Sequence, residues 1–329
     1  MPQAIDRAAG SGELRFGAVF PTSDIGDDPI AIRDYAQGLE ELGYDHLIAY
    51  DHVLGAEHAD REPALTGPYD EHTAFHEPFV LFGYLAGLTR ALELIAGVIV
   101  LPQRQTALVA KQAAEVAVLS SGRLRLGVGT GWNWVEYDAL GVPFRGRAER
   151  LEEQVELLRR LWAEPLVTTH TEFHDIERAG ILPRPAGPIP IWFGGSAERQ
   201  LHRAARLGDG FICTRADEKA RGLVAQLQTF VAEAGREAEP FDLSGMIDWA
   251  HGPDECAEAT AAWRDAGGTH LALRVFDALS ARLGVPKLGY TTVDRQLEAL
   301  RTYGELVGVG SSPASTPAST PTSTPTSDS

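Results

Sequence analysis

Short apolar runs and longer amphipathic stretches alternate along this chain, and they do so eight times. Residues 14–20 (LRFGAVF) read as a strand. Asp28-Pro29, an N-cap followed by Pro at the first helical position, then opens a helix. Ile32, Tyr35, Ala36, Leu39 and Leu42 follow at helical spacing, and Gly43 ends it. Further strands are expected at 46–50, 92–101, 123–128, 189–193, 210–213, 241–247 and 270–275. The intervening helices are expected at 79–88, 106–119, 147–162, 196–206, 217–234, 253–266 and 292–303. A parallel strand needs a long crossover to reach its neighbour, and a helix usually provides it. Eight such units in about 300 residues favour an α/β fold of the closed (β/α)8 kind, a TIM barrel, over an open doubly wound sheet. Functional side chains then belong just after each strand, at the C-terminal mouth.

Two stretches interrupt the alternation. Residues 51–78 form a long loop, and residues 163–188 are rich in Pro and Gly and read as irregular. Both are expected as insertion segments at the mouth. The ends also differ from the middle. Residues 1–12 read as a short flexible arm, and residues 13–310 as the barrel domain. In the stretch 311–329, 16 of 19 residues are Ser, Thr or Pro. Such a tract has nothing apolar to bury, so it is expected to stay disordered.

Charge narrows the partners. With 29 basic and 46 acidic residues the formal net charge is −17, which argues against nucleic acid or an anionic membrane as partner. Two cysteines, Cys213 and Cys256, cannot build a disulfide scaffold, and the N-terminus lacks the apolar segment of a signal peptide. A cytoplasmic protein acting on small molecules is the expectation.

The mouth positions carry the chemistry. After the second strand stand Asp51 and His52, an acid beside an imidazole, suited to proton transfer or to capping a turn. The fourth strand runs into Gly127-Val128-Gly129-Thr130-Gly131-Trp132. Its sixth position is Trp132 rather than Gly, so the dinucleotide fingerprint fits poorly. A glycine turn that admits a planar ligand beside Trp132 and Trp134 fits better, with packing tryptophans as the alternative. After the fifth strand, Gly194-Gly195-Ser196 opens a helix, with Ser196 placed to cap it, in the form of a phosphate site. Thr214 follows the neighbouring strand. His72/His76 and His170/His174 lack the Glu of H-E-x-x-H and lie in irregular stretches, so no metal site is expected. Phosphate and ring features without a nucleophile motif point to a cofactor that carries the reactive atom.

These segments resemble a known family. They are Asp51-His52, Gly97 to Pro102, VAKQAA at 109–114, LSSGRL at 119–124, Gly127 to Trp132 with Glu136-Tyr137, LGVPF at 140–144, Gly194-Gly195-Ser196 and Gly208-Asp209-Gly210-Phe211. Together they are similar to the luciferase-like monooxygenase superfamily, in its branch of coenzyme F420-dependent oxidoreductases. The resemblance implies a TIM-type barrel whose mouth holds a deazaflavin (coenzyme F420) or, alternatively, FMN. It places the ring against Val98 and Ile99, with a non-prolyl cis peptide between them, and beside Gly129, Thr130, Gly131 and Trp132. It rests the phosphate on Gly194, Gly195 and Ser196 with Thr214 nearby. Asp51 and His52 would lie beside the ring, with His52 donating a proton or orienting the substrate, and both insertions would lid the pocket. A homodimer is implied as well. Two positions depart from the family's sugar-phosphate dehydrogenases: Trp132 replaces a Glu and Asp217 replaces a Lys. A phosphorylated sugar therefore fits poorly, and a small, more apolar substrate fits better. The reaction implied is hydride transfer with F420. FMN-dependent monooxygenation and non-catalytic flavin or deazaflavin binding are the alternatives.

Overall fold

The computed structural model describes residues 13–26, 28–278, 280 and 284–310. The expected arm at 1–12 and the tail at 311–329 lie outside the described residues. The first strand, β1 (Arg15–Val19), leads through α1 (Pro29–Glu41) to β2 (His46–Ala49), and α2 (Pro78–Leu88) leads to β3 (Glu93–Val100). Helix α3 (Thr106–Leu119) precedes β4 (Leu124–Gly129), which is followed by α4 (Trp134–Ala139) and α5 (Arg147–Ala163). Strands β5 (Val167–His170) and β6 (Asp175–Ala179) form a separate antiparallel hairpin. The alternation resumes with β7 (Ile191–Gly194), α6 (Glu198–Leu207), β8 (Gly210–Ile212), α7 (Glu218–Glu233), β9 (Asp242–Asp248), α8 (Pro253–Asp265), β10 (His270–Arg274) and α9 (Val293–Val307). Eight strands close a parallel barrel in the order β1-β10-β9-β8-β7-β4-β3-β2, as the alternation requires.

The local signals act as expected at several helix ends. The Asp28 carboxylate accepts from the Ile30 N–H and Pro29 occupies the first turn of α1. Asp217 caps α7 through the Ala220 N–H. Two expectations need correcting. Helix α6 is capped by Ala197 with no side-chain bond, so Ser196 lies one residue outside the cap and its hydroxyl does not serve there. The stretch 163–188 is not irregular throughout, because alternating Thr and acidic residues pair into β5–β6. That hairpin lies along α5 and the start of α3. Thr171 donates to Glu153, His174 shares Nδ1 with Glu153 at 2.5 Å and Nε2 with Thr106 at 2.6 Å, and Arg150 stacks on Phe173. It braces the outer helices, and its bonds go there rather than over the mouth.

The barrel interior is layered. At its base, Glu93 pairs with Arg15 at 2.8 Å and Arg125 at 2.9 Å, and Arg125 lies 5.3 Å over the Trp192 ring. The His46 and His270 rings meet edge to face at 5.3 Å, and His270 meets Trp192 at 4.8 Å. Both His46 ring nitrogens are buried without a partner. Burial above all, and the neighbouring His270 next, hold His46 well below the ordinary imidazole range. Burial also lowers His270. Burial would raise Glu93, but His270, Arg125 and Arg15 hold it below the usual carboxylate range. Above this base, Val19, Ile48, Ile95, Ile212, Met246 and Ala272 fill the upper barrel and floor the mouth.

Candidate active site

Strand β3 sets the floor. Its pairing with β4 shifts register between Ala96 and Ile99. The non-prolyl cis peptide lies at Gly97–Val98, one residue before the expected Val98–Ile99 bond. Ile99 is fully buried in the helix-facing core, whereas Val98 stays partly exposed and packs on the mouth cluster. The Val98 methyls take the space that side chains on β4 and β7 would need. A Cβ on Gly129 would come 2.7 Å from Cγ2, and one on Gly194 would come 2.8 Å from Cγ1. Glycine at both positions lets a single valine cap the floor across three strands.

The two residues after β2 separate in role. Asp51 is 3% exposed and is consumed by structure. It accepts from Arg104 Nη2 at 2.7 Å, Arg104 Nε at 3.3 Å and the Val100 N–H at 2.9 Å. Burial pushes its carboxyl up, and Arg104 pulls against that shift. Burial would lower Arg104, but Asp51 and Glu77 hold it above the ordinary range. Asp51 therefore fixes the end of β3 and positions its neighbour. His52 instead faces the aromatic wall. Its ring lies 5.1 Å from Tyr69, 5.0 Å from Phe75 and 5.6 Å from Trp132.

The sequence reading missed the partner of His52. Glu136, 1% exposed, sits in the first turn of α4. Its Oε2 lies 3.2 Å from His52 Nδ1, and its Oε1 accepts from the Val53 N–H at 2.5 Å and the Leu54 N–H at 3.0 Å. Asn133 caps α4 through Val135 and donates to the Leu54 carbonyl. The capping signal Asn133-Trp134-Val135-Glu136 stands in the sequence, but the six-residue helix it opens is too short to show a helical period. A carboxylate on Nδ1 fixes the imidazole and leaves Nε2 to exchange a proton.

The loop at 51–77 closes over this group. Tyr69 packs on the mouth cluster, and its carbonyl accepts from His58 Nε2 at 2.8 Å. A Cβ on Gly67 would lie 2.0 Å from the Trp132 ring, so loop and tryptophan are in close contact. Thr130 contributes its carbonyl to the Tyr137 hydroxyl at 2.7 Å, and Gly131 takes φ +63° in the turn. Gly195 and Ser196 are exposed at the end of β7, and Thr214 is exposed beyond β8, the strand paired to it. Gly195 has φ +137°, a conformation that favours glycine. This exposed backbone before α6 suits an anion, and the partly exposed Val98 beside an aromatic wall suits a planar ring. The residues present fit a phosphorylated ring cofactor. The two histidine pairs do not converge: His72 lies 3.2 Å from Glu71 while His76 packs on Phe20, and His170 bonds Asp175 and Glu177 while His174 bonds Glu153. Among the described residues no group of three or more His, Cys, Asp or Glu is placed to hold a metal ion.

Comparison with known proteins agrees with this geometry. The sequence profile of luciferase-like monooxygenases matches residues 14–283. An uncharacterized Mycobacterium tuberculosis protein, Rv0940c, is 36% identical over 214 residues, covering 63% of this chain and 73% of that protein. An F420-dependent glucose-6-phosphate dehydrogenase of Intrasporangium calvum is 34% identical over 194 residues, 56% of this chain and 54% of that one. Among solved structures, an F420-dependent secondary alcohol dehydrogenase in complex with an F420-acetone adduct superposes with a TM-score of 0.69. It covers 88% of this chain and 99% of its own at 15% identity, a likeness of fold.

Proposed function

The chain belongs to the luciferase-like monooxygenase family, and from that premise we propose that it transfers a hydride between coenzyme F420 and a small, apolar organic substrate. It is an oxidoreductase of small molecules. The observation that carries this reading is a carboxylate-held histidine at the same barrel mouth as the partly exposed Val98 and the exposed backbone of Gly195 and Ser196. Val98 would support the ring, with Gly129, Thr130, Gly131 and Trp132 at its edge. Gly194, Gly195 and Ser196 would receive the phosphate through backbone N–H groups, with Thr214 beside them. Bound there, the deazaflavin supplies the hydride donor or acceptor. The protein's own part is positioning, exclusion of water and proton transfer. Glu136 holds Nδ1 of His52, so Nε2 can take a proton from a substrate hydroxyl or return one to a carbonyl oxygen. Tyr69, Phe75 and Trp132 close around it and favour an apolar substrate.

FMN with O2 activation is the second reading, supported by the same floor and cradle. Titration with F420 and with FMN, followed by fluorescence, separates the two. Tight binding of FMN alone would overturn the F420 assignment. Bound cofactor that never exchanges hydride with any acceptor would favour a non-catalytic binding protein. Gly195→Val, which forces a side chain into a left-handed backbone beside Gln200, is expected to weaken F420 by about 10- to 100-fold through lost charge-assisted bonds to the phosphate. Unchanged affinity would remove the cradle from the account.

The same reading has the enzyme act as a homodimer in the cytoplasm. Light scattering should then give twice the chain mass of 35.5 kDa, and a single mass would reject the dimer. Among the described residues no helix is long and apolar enough to cross a membrane.

A further inference from the structure

The ends of β9 and β10 carry a polar cluster that the hydride-transfer reading leaves unused. Asp248 and Arg274 stand opposite one another in the strand register and pair at 2.7 Å, each 5% exposed. Arg274 Nε is buried without a partner. The cationic guanidinium also acts on the hydroxyl of Tyr50, the residue before Asp51. The Tyr50 O–H in turn points at Met246 Sδ, 3.3 Å away. A thioether is a weak acceptor, and a phenol beside a buried cation is a stronger donor. A strong donor is therefore held by a weak partner at the barrel mouth.

That partner is adaptable. Met246 packs in the mouth cluster at 3% exposure, and its unbranched side chain with three rotatable bonds can take another rotamer there. Tyr50 also shares a wall with the proposed proton-transfer group. Its ring lies 6.3 Å from Tyr69 and 6.3 Å from Phe276, and Tyr69 lies 5.1 Å from His52. One small molecule against Tyr69 can touch both.

We propose that Tyr50 donates a hydrogen bond to the carbonyl oxygen of the substrate, displacing Met246 Sδ, with Arg274 as the positioning residue behind it. The substrate class is then ketones or aldehydes and the alcohols to which they are reduced. The inference rests on the hydride-transfer reading for its chemistry, but its hydrogen bond can be measured apart from turnover. A structural cluster alone would also pair Asp248 with Arg274. It would not leave the phenol proton on sulfur and a guanidinium N–H without an acceptor.

The test compares acetophenone with α-methylstyrene, an isostere that lacks the acceptor oxygen, by equilibrium dialysis against the full chain with and without F420. The wild-type protein should prefer acetophenone by about five- to tenfold, the worth of one hydrogen bond from a polarised donor. Tyr50→Phe should bring the ratio to about one with F420 affinity unchanged and the circular dichroism of the folded barrel retained. Tyr84→Phe, which alters an exposed hydroxyl on α2 bonded to the Pro29 carbonyl, should keep the preference. A preference that survives Tyr50→Phe, no preference in the wild type, or binding of neither probe would each overturn the proposal. Failure of F420 to bind, with the acetophenone preference intact and lost in Tyr50→Phe, would instead sink the cofactor reading and leave the hydrogen bond standing.

Discussion

Arg104→Ala is expected to lower stability by about 3–5 kcal/mol, the cost of leaving a buried carboxylate without its cation. Asp51 would keep only the Val100 N–H at 2.9 Å, at a site where burial already disfavours its charge. Urea unfolding followed by circular dichroism measures this directly. Asp51→Asn should cost less, because Arg104 retains Glu77 at 2.9 Å and the amide oxygen can still accept from Val100. The double variant should then be less destabilised than the sum of the two, because it buries no unpaired carboxylate. Since the pair also fixes the end of β3 against His52, F420 affinity should fall in Arg104→Ala even where the protein is fully folded. A loss below about 1 kcal/mol, the range of surface pairs, would mean that water reaches Asp51 after all.

Acid is expected to destabilise the barrel from its base. His46 and His270 are held neutral by burial in the folded state, while in the unfolded chain each takes up a proton near pH 6.5. The unfolded state then binds more protons, so stability falls as the pH drops below about 6.5. Two such groups give a slope of up to about 2.7 kcal/mol per pH unit, at 1.36 each. Glu93 adds in the same direction lower down: its carboxylate stays charged when folded and is protonated when unfolded, below about pH 4.5. His46→Leu replaces a ring whose two nitrogens have no partner, so it should cost little at pH 8 and become the more stable protein by pH 5.5. Parallel stability curves for wild type and His46→Leu between pH 8 and 5 would refute this account of the base.

The barrel was legible because its signals are local and repeated. Period-two and period-3.6 apolar patterns, Asp28-Pro29 and Asp217 all acted where they stand in the chain. The site was legible in part. Glycines at 129, 194 and 195 mark backbone that something approaches, and the structure supplies one such neighbour in Val98. Asp51 and His52 were read as a pair because they are adjacent, yet successive residues leaving a strand point in different directions. One meets Arg104 and the other Glu136, partners 53 and 84 residues away. Such distant pairings leave no trace in spacing, and neither does the approach of Tyr50 to Arg274 from the two strands that flank β1. The hairpin was missed because its exposed strands lack an apolar face, so alternation had nothing to reveal.

Glu136 also holds the backbone of residues 53 and 54, so the root of the covering loop and the imidazole are tethered to one buried carboxylate. The distal half of that loop, around Gly67 and Tyr69, lies beyond this tether and is held by packing on Trp132 and the mouth cluster instead. A substitution in that distal half should therefore leave the aim of His52 unchanged, because the imidazole answers to Glu136 and not to the packing around Gly67.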